Sequence, residues 1–119
     1  MITNSKMTLY HLTQEERPSL GGIDDVWVRY NYDNVWWFGG KGANTNKGYE
    51  NANNVQIRIP YSQNTIDVSN ISLGDIVVKG ELAFNIDTQQ DLEEYEYYNI
   101  TAINNNTFGT EQHVHLSGK

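Results

Sequence analysis

Cysteine is absent from this 119-residue chain, and proline occurs only twice. Without a thiol, the chain has no disulfides, no cysteine nucleophile and no cysteine-ligated zinc. A charged fraction of 19% is too low for the charge-driven disorder of highly charged chains. No stretch approaches about 18 consecutive apolar residues, so no membrane-spanning helix is predicted. The first residues also lack a secretory signal pattern, and we expect no membrane partner.

Positive charge is scarce as well, with eight Lys and Arg against fifteen Asp and Glu and a net charge of −7. A free-standing nucleic-acid-binding protein normally carries a basic surface, so this balance argues against that class. The same acidity suits the wall of a passage through which DNA slides without sticking. We therefore expect DNA to be at most passing cargo, bound without sequence specificity.

The length is that of one ordinary domain, and we expect residues 1–119 to form a single β-domain. Asparagine is the outstanding residue type, with fifteen copies, many of them clustered. Asparagine is favoured in turns and depleted in strand interiors, which predicts short strands joined by long connections. Residues 39–54, rich in Gly and Asn, are predicted to be a long mobile loop. Residues 61–72 are predicted to be a second loop, held down by scattered apolar side chains.

Alternation of apolar and polar residues favours strands almost throughout. The predicted strands cover residues 7–12, 25–32, 35–38, 55–60, 76–82, 95–103 and 112–116. A polar connection is expected at 14–22, and a two-residue turn at Asp33–Asn34 would join the second and third strands. Alternation in the sixth strand would put Tyr98, Ile100 and Ala102 on one face. The predicted fold class is all-β: a small barrel or sandwich of short antiparallel strands with long loops.

At most one short helix is expected, at residues 88–94. Thr88 is placed to cap it, and Asp91 stands three residues later at the capping-box position.

Patterns that would indicate catalysis or a cofactor are weak. His113 and His115 share one face of a strand, and His11 or Glu111 could supply a third metal ligand. No metal motif accompanies the pair, so two polar residues flanking a buried valine is the favoured interpretation. The Gly- and Lys-rich segment at 39–42 does not match a phosphate-binding loop, and no nucleophile elbow is present. We expect no enzymatic activity, no cofactor and no metal.

Adjacent aromatic residues are consistent with either a thick aromatic core or an interaction surface. Trp36 and Trp37 must lie on opposite faces of a strand, so one is expected in the core and the other outside. A surface tryptophan is a typical interface anchor. Lys41 and Lys47 would supply positive charge beside it. In an assembly these lysines are predicted to meet an acidic segment of the next copy, which contains Glu93 and Glu94.

Three segments carry a resemblance to a known family: VWWFGGKGANTNKGYENANNVQIRIPY at 35–61, SLGDIVVKGEL at 72–82, and HVHLSGK at 113–119. In these segments the chain resembles a small protein family from the morphogenesis gene clusters of tailed phages and prophages of Gram-positive bacteria. Its members are described as minor capsid or head–tail connector proteins. The resemblance brings no catalytic motif with it.

The resemblance implies a head-closure, or stopper, protein: a small β-barrel that forms a ring with copies of itself. Such a ring joins the portal and adaptor to the tail in the virion neck, and its subunits reside in the host cytoplasm before assembly. Alternatives are the adaptor, the tail terminator or a capsid decoration protein; an adaptor of this kind should be mainly helical. A small ligand-binding β-module that uses exposed aromatic residues is an alternative from a different class.

Overall fold

The computed structural model describes residues 2–16, 23–39 and 54–119. It confirms the all-β class. Six strands are present: β1 (Ser5–Glu16), β2 (Ile23–Gly39), β3 (Val55–Pro60), β4 (Ile76–Lys79), β5 (Tyr97–Asn106) and β6 (His113–Gly118). The helical structure in these residues is limited to two short 3-10 turns, Val68–Asn70 and Gln89–Leu92. No helix in these three ranges has the length and apolar character needed to cross a membrane.

The strands form a closed antiparallel barrel in the order β1-β2-β3-β6-β5-β4. The barrel has two halves, one containing β1 and β4 and the other containing β3 and β6. The long strands β2 and β5 take part in both halves. β2 pairs first with β1 and then with β3, whereas β5 pairs first with β4 and then with β6. Closing the sheet in this way leaves few strand edges exposed.

The turn predicted at Asp33–Asn34 is wrong, because β2 continues through these residues. Ser5 pairs with Val35 and Met7 with Tyr32, so β2 carries one residue more than β1 over this interval. The extra residue is a β-bulge, which reverses the faces of the strand and lets Tyr32 and Val35 both be buried. The polar turn signal thus marks the place where β2 bends from one half of the barrel to the other.

A second bulge explains why Ala102 is exposed rather than on the face of Tyr98 and Ile100. The register shifts between Ile100 and Ala102, so the alternation of faces reverses there. Ile103, and not Ala102, packs partly buried against the core.

The predicted ends of several elements also need correction. Residues 14–16 belong to β1 rather than to a connection, and β4 ends at Lys79 instead of reaching residue 82. The segment predicted as a helix at 88–94 is a 3-10 turn, in which Asp91 accepts hydrogen bonds from the backbone of Asp87 and Thr88. The prediction for β3, residues 55–60, is confirmed at both ends.

The barrel interior holds the main core, which includes Leu9, Ile57, Val77 and Leu116, all fully buried. Tyr32 also lies there, and burial raises its pKa to about 12. The prediction that scattered apolar side chains hold down residues 61–72 is confirmed. Three of these side chains pack in or against the main core: Ile66, Val68 and Ile71.

A second, smaller core lies outside the barrel wall. The segment between β4 and β5 folds back over outward side chains of β1 and β4, and its Ile86 and Leu92 are buried there against Tyr10. The Tyr10 hydroxyl donates a hydrogen bond to the carbonyl oxygen of Phe84 at 2.6 Å. The segment between β4 and β5 therefore covers the outside of the wall formed by β1 and β4. The neighbouring strands β2, β3 and β6 form a different wall of the barrel.

Candidate interaction surface

Trp36 and Trp37 lie on opposite faces of β2, as the alternation predicts. Trp37 points into the barrel, is 4% exposed, and packs against Tyr98 with 6.0 Å between ring centroids. The side chain of Asn4 fixes the backbone here: its Oδ1 accepts from the Trp37 amide at 2.8 Å, and its Nδ2 donates to the Trp37 carbonyl. Trp36 is consequently directed outward, and it is the tryptophan available to a partner.

Outward residues of three neighbouring strands meet beside Trp36. In the register, Trp36 of β2 stands opposite Arg58 of β3, which in turn stands opposite His115 of β6. The guanidinium carbon of Arg58 lies 4.8 Å from the centroid of the Trp36 ring, a cation–π distance. Phe38 stacks on Trp36 with 5.6 Å between centroids and only 6° between ring planes. We call Trp36, Phe38, Arg58 and His115 the outer aromatic face.

The outer aromatic face combines apolar rings with polar groups, and Phe38 and Arg58 in it are exposed. Phe38 is 65% exposed, which is unusual for so large an apolar side chain. Beside it, Trp36 and Arg58 line a shallow concavity together with Ile2 and Glu111. Stacked rings, a guanidinium and a neighbouring carboxylate provide apolar contact with directional polar groups, as in protein-binding surfaces.

The imidazole of His115 connects this face to the rest of the wall. Its Nε2 lies 2.7 Å from Oε1 of Gln56, which also accepts from the Ser117 hydroxyl at 3.0 Å. Burial lowers the pKa of His115 below its ordinary 6.5, and the nearby charges of Arg58 and His113 lower it further. The imidazole is therefore neutral at physiological pH.

This lowered pKa predicts a small pH dependence of stability. The unfolded chain binds the His115 proton more readily than the folded chain, so the free energy of unfolding falls as the pH drops through 6.5. The decline ends below the folded-state pKa. We expect His115→Gln to lose this component, and an NMR titration of wild-type protein should give a pKa below 6.5 for His115. A midpoint at or above that value would contradict the assignment.

Of the remaining predicted interface residues, Glu93 and Glu94 are described, and they are not brought to this face. Glu93 and Glu94 are exposed, but they follow the 3-10 turn in the segment between β4 and β5. Lys41 and Lys47 lie outside the described residues, as does most of the predicted mobile loop at 39–54. Their pairing with the acidic segment of another copy stays a prediction.

The three histidines lie in separate environments. His113 Nδ1 lies 2.8 Å from the carbonyl oxygen of Glu111, and His115 contacts Gln56. His11 Nδ1 lies 2.6 Å from Oδ2 of Asp75. Across the described ranges of the chain, no group of three His, Asp or Glu residues is arranged to hold a metal ion.

Asp75 is a residue whose importance the sequence does not reveal. It is 1% exposed, and its carboxylate accepts hydrogen bonds from the backbone amides of Leu12 and Ser72 besides contacting His11. Its carbonyl oxygen accepts from the Ile100 amide at 2.8 Å. Asp75 thus joins β1, β5 and the turn before β4. The contacts are internal, and they indicate a structural role.

Sequence reasoning also missed the pairing of Arg58 with Trp36. Alternation along β3 shows that Arg58 points away from Ile57 and Ile59, and therefore outward. Its position beside Trp36 depends on β2 and β3 being neighbours in register, which alternation within each strand does not specify.

The chain matches the model of one protein family, described as "Family of unknown function (DUF6751)", over residues 2–119. No curated protein and no solved structure matches the chain.

Proposed function

The chain belongs to the DUF6751 family, whose description assigns no activity, and we propose that it is a structural protein of the phage neck. In this proposal it is a head-closure protein that forms a ring, joins the portal and adaptor to the tail, and catalyses no reaction. The outer aromatic face is the surface through which it contacts a neighbouring subunit or neck protein.

One observation carries this proposal: two of the segments that resemble the phage connector family are far apart in sequence but adjacent in the barrel. Residues 35–61 contain the end of β2 and all of β3, and residues 113–119 contain β6. These strands are neighbours in the order β2-β3-β6, and each contributes an outward residue to the outer aromatic face. A shared sequence pattern that meets at one exposed apolar surface supports a role in binding.

The charge and fold support the same role. A small closed β-barrel is the architecture expected of a stopper protein. The net charge of −7 disfavours retention of DNA phosphates in a passage. Subunits that repel one another overall need a local attractive contact, and stacked aromatic rings with a guanidinium supply one.

Replacing Trp36 by alanine tests the proposal. Heads that lack this protein are supplied with wild type or variant, and tailed particles are counted by electron microscopy. Truncation of an anchoring tryptophan costs about 2 kcal/mol or more, so we expect tail attachment to fall by more than about tenfold at limiting protein. Thermal unfolding should change little because Trp36 points outward.

Tyr95→Ala is the matched control, since Tyr95 is a 40% exposed aromatic residue outside the outer aromatic face. It should support tail attachment like wild type. If Trp36→Ala also does so, the binding surface lies elsewhere on the barrel. If wild-type protein neither enters particles nor restores tails, the neck assignment is wrong.

A second candidate function is a small ligand-binding β-module, favoured by the 65% exposed ring of Phe38, which stacks on Trp36. Glycan-array or calorimetric binding by isolated monomer, abolished by Trp36→Ala, would support this function instead of neck assembly.

A further inference from the structure

Among the described residues, the second half of β5 has a neighbouring strand on one side only. β4 pairs with residues 97–99 of β5, and the turn before β4 covers Ile100, whose amide donates to Asp75 and whose carbonyl accepts from Gly74. Past Ile100, β5 continues to Asn106 with β6 on one side. No strand in residues 2–16, 23–39 and 54–119 pairs with its other side.

The register shows which backbone groups face this free edge. Asn99 and Lys119 exchange both backbone hydrogen bonds, at 3.2 and 3.0 Å, so Lys119 and alternate residues before it face β5. His115 and His113 are therefore bonded to their opposite residues, Asn104 and Asn106. The residues between these, Ile103 and Asn105, direct their N–H and C=O groups away from β6.

Natural sheet edges are often protected from pairing with other chains by charged residues or proline, and this edge has neither. Residues 101–106 read TAINNN, with no charged residue and no proline. Charge on an edge strand discourages pairing with another chain, and its absence permits pairing.

We propose that the free edge of β5 pairs with the same edge of a second copy, forming a two-fold symmetric dimer with a continuous sheet across it. Ile103 of each chain exchanges backbone hydrogen bonds with Asn105 of the other, which places Asn104 on the two-fold axis. A second copy fits because asparagine amides both donate and accept, so this strand is complementary to itself. The neutral edge also lets two chains of net charge −7 meet without opposing carboxylates.

Two exposed apolar residues lie at positions that this pairing brings together. Phe108 is 87% exposed beyond the end of β5, and Leu73 is 66% exposed in the turn that bonds to Ile100. With Asn104 on the axis, Asn106 at the end of β5 comes opposite Ala102 of the other copy, so Phe108 comes to the turn that covers Ile100 and holds Leu73. The dimer would cover both side chains twice, adding apolar burial to the strand pairing.

The absence of cysteine gives a direct test, since Asn104→Cys introduces a single thiol. Facing residues of a non-hydrogen-bonded antiparallel pair have Cα atoms about 4.5 Å apart, within disulfide range. We expect Asn104→Cys to form a covalent dimer at least about tenfold faster than Ser62→Cys, because the contact holds its two thiols together. Ser62 is exposed in a different loop and serves as the matched control. Equal rates for the two variants would overturn the proposal.

Sedimentation of cysteine-free variants provides a second measurement. Asn105→Pro removes an N–H that only the added strand uses, so we expect it to shift the protein to monomer with its fold retained. Asn104→Asp should do the same through like charges on the axis, whereas Asn104→Ser should remain dimeric. A wild-type protein that is monomeric at all concentrations would contradict the proposal. None of these measurements depends on the neck assignment or on Trp36.

Discussion

Replacing Ile57 by alanine should lower the free energy of unfolding by about 2–4 kcal/mol. Ile57 is fully buried at the centre of β3, opposite Trp37 on one side and Leu116 on the other. Both neighbouring strands are fixed in the barrel wall, so the surroundings cannot collapse into the space that the side chain leaves. Val77→Ala in β4 should have an effect in the same range. Urea unfolding followed by circular dichroism measures both.

Arg58→Ala is the control for Ile57→Ala, because Arg58 is the next residue on the same strand and is exposed. We expect it to cost less than about 1 kcal/mol. If Ile57→Ala and Val77→Ala leave the unfolding midpoint unchanged, these strands do not face the core as described.

Asp75→Ala should destabilise the protein by about 3 kcal/mol or more, since each buried donor left without an acceptor costs about 1–3 kcal/mol. The change removes the acceptor of two backbone amides, those of Leu12 and Ser72, and the partner of His11. The lost contacts with Leu12 and His11 join β1 to the turn before β4, and the contact with Ser72 lies within that turn. Thermal unfolding and amide exchange at Leu12 and Ser72 measure the effect.

Asp75→Asn separates hydrogen bonding from mere packing at this position. Its amide retains one acceptor oxygen at nearly unchanged volume, so its effect should be smaller than that of Asp75→Ala. If Asp75→Ala is as stable as wild type, the contacts of Asp75 with Leu12 and His11 do not hold β1 to the turn.

The two ends of β3 could be predicted because everything that defines this strand is local. Val55, Ile57 and Ile59 alternate with polar residues, and Pro60 cannot donate to a sheet. β2 could not be predicted in the same way. Asp33 and Asn34 have the composition of a turn, but pairing with β1 turns them into a bulge within one strand. Local preference and long-range pairing disagree there, and the pairing prevails.

The candidate site likewise contains some features that follow from local sequence and others that depend on long-range pairing. Opposite faces for Trp36 and Trp37 follow from the two-residue period of a strand, which is a local property. The contact of Trp36 with Arg58 and His115 requires β3 to lie between β2 and β6. Asp75 shows the same limit, since its partners on β1 and β5 are distant in sequence.

The sharing of β2 and β5 between the two halves of the barrel has a consequence for how the protein opens. Neither half can separate without breaking a strand that the other half also uses. The barrel should therefore unfold in one cooperative transition, with no stable half-barrel in between. A protease acting under native conditions would then cut the barrel wall only through global unfolding, and the chain should resist digestion there until the whole wall is lost.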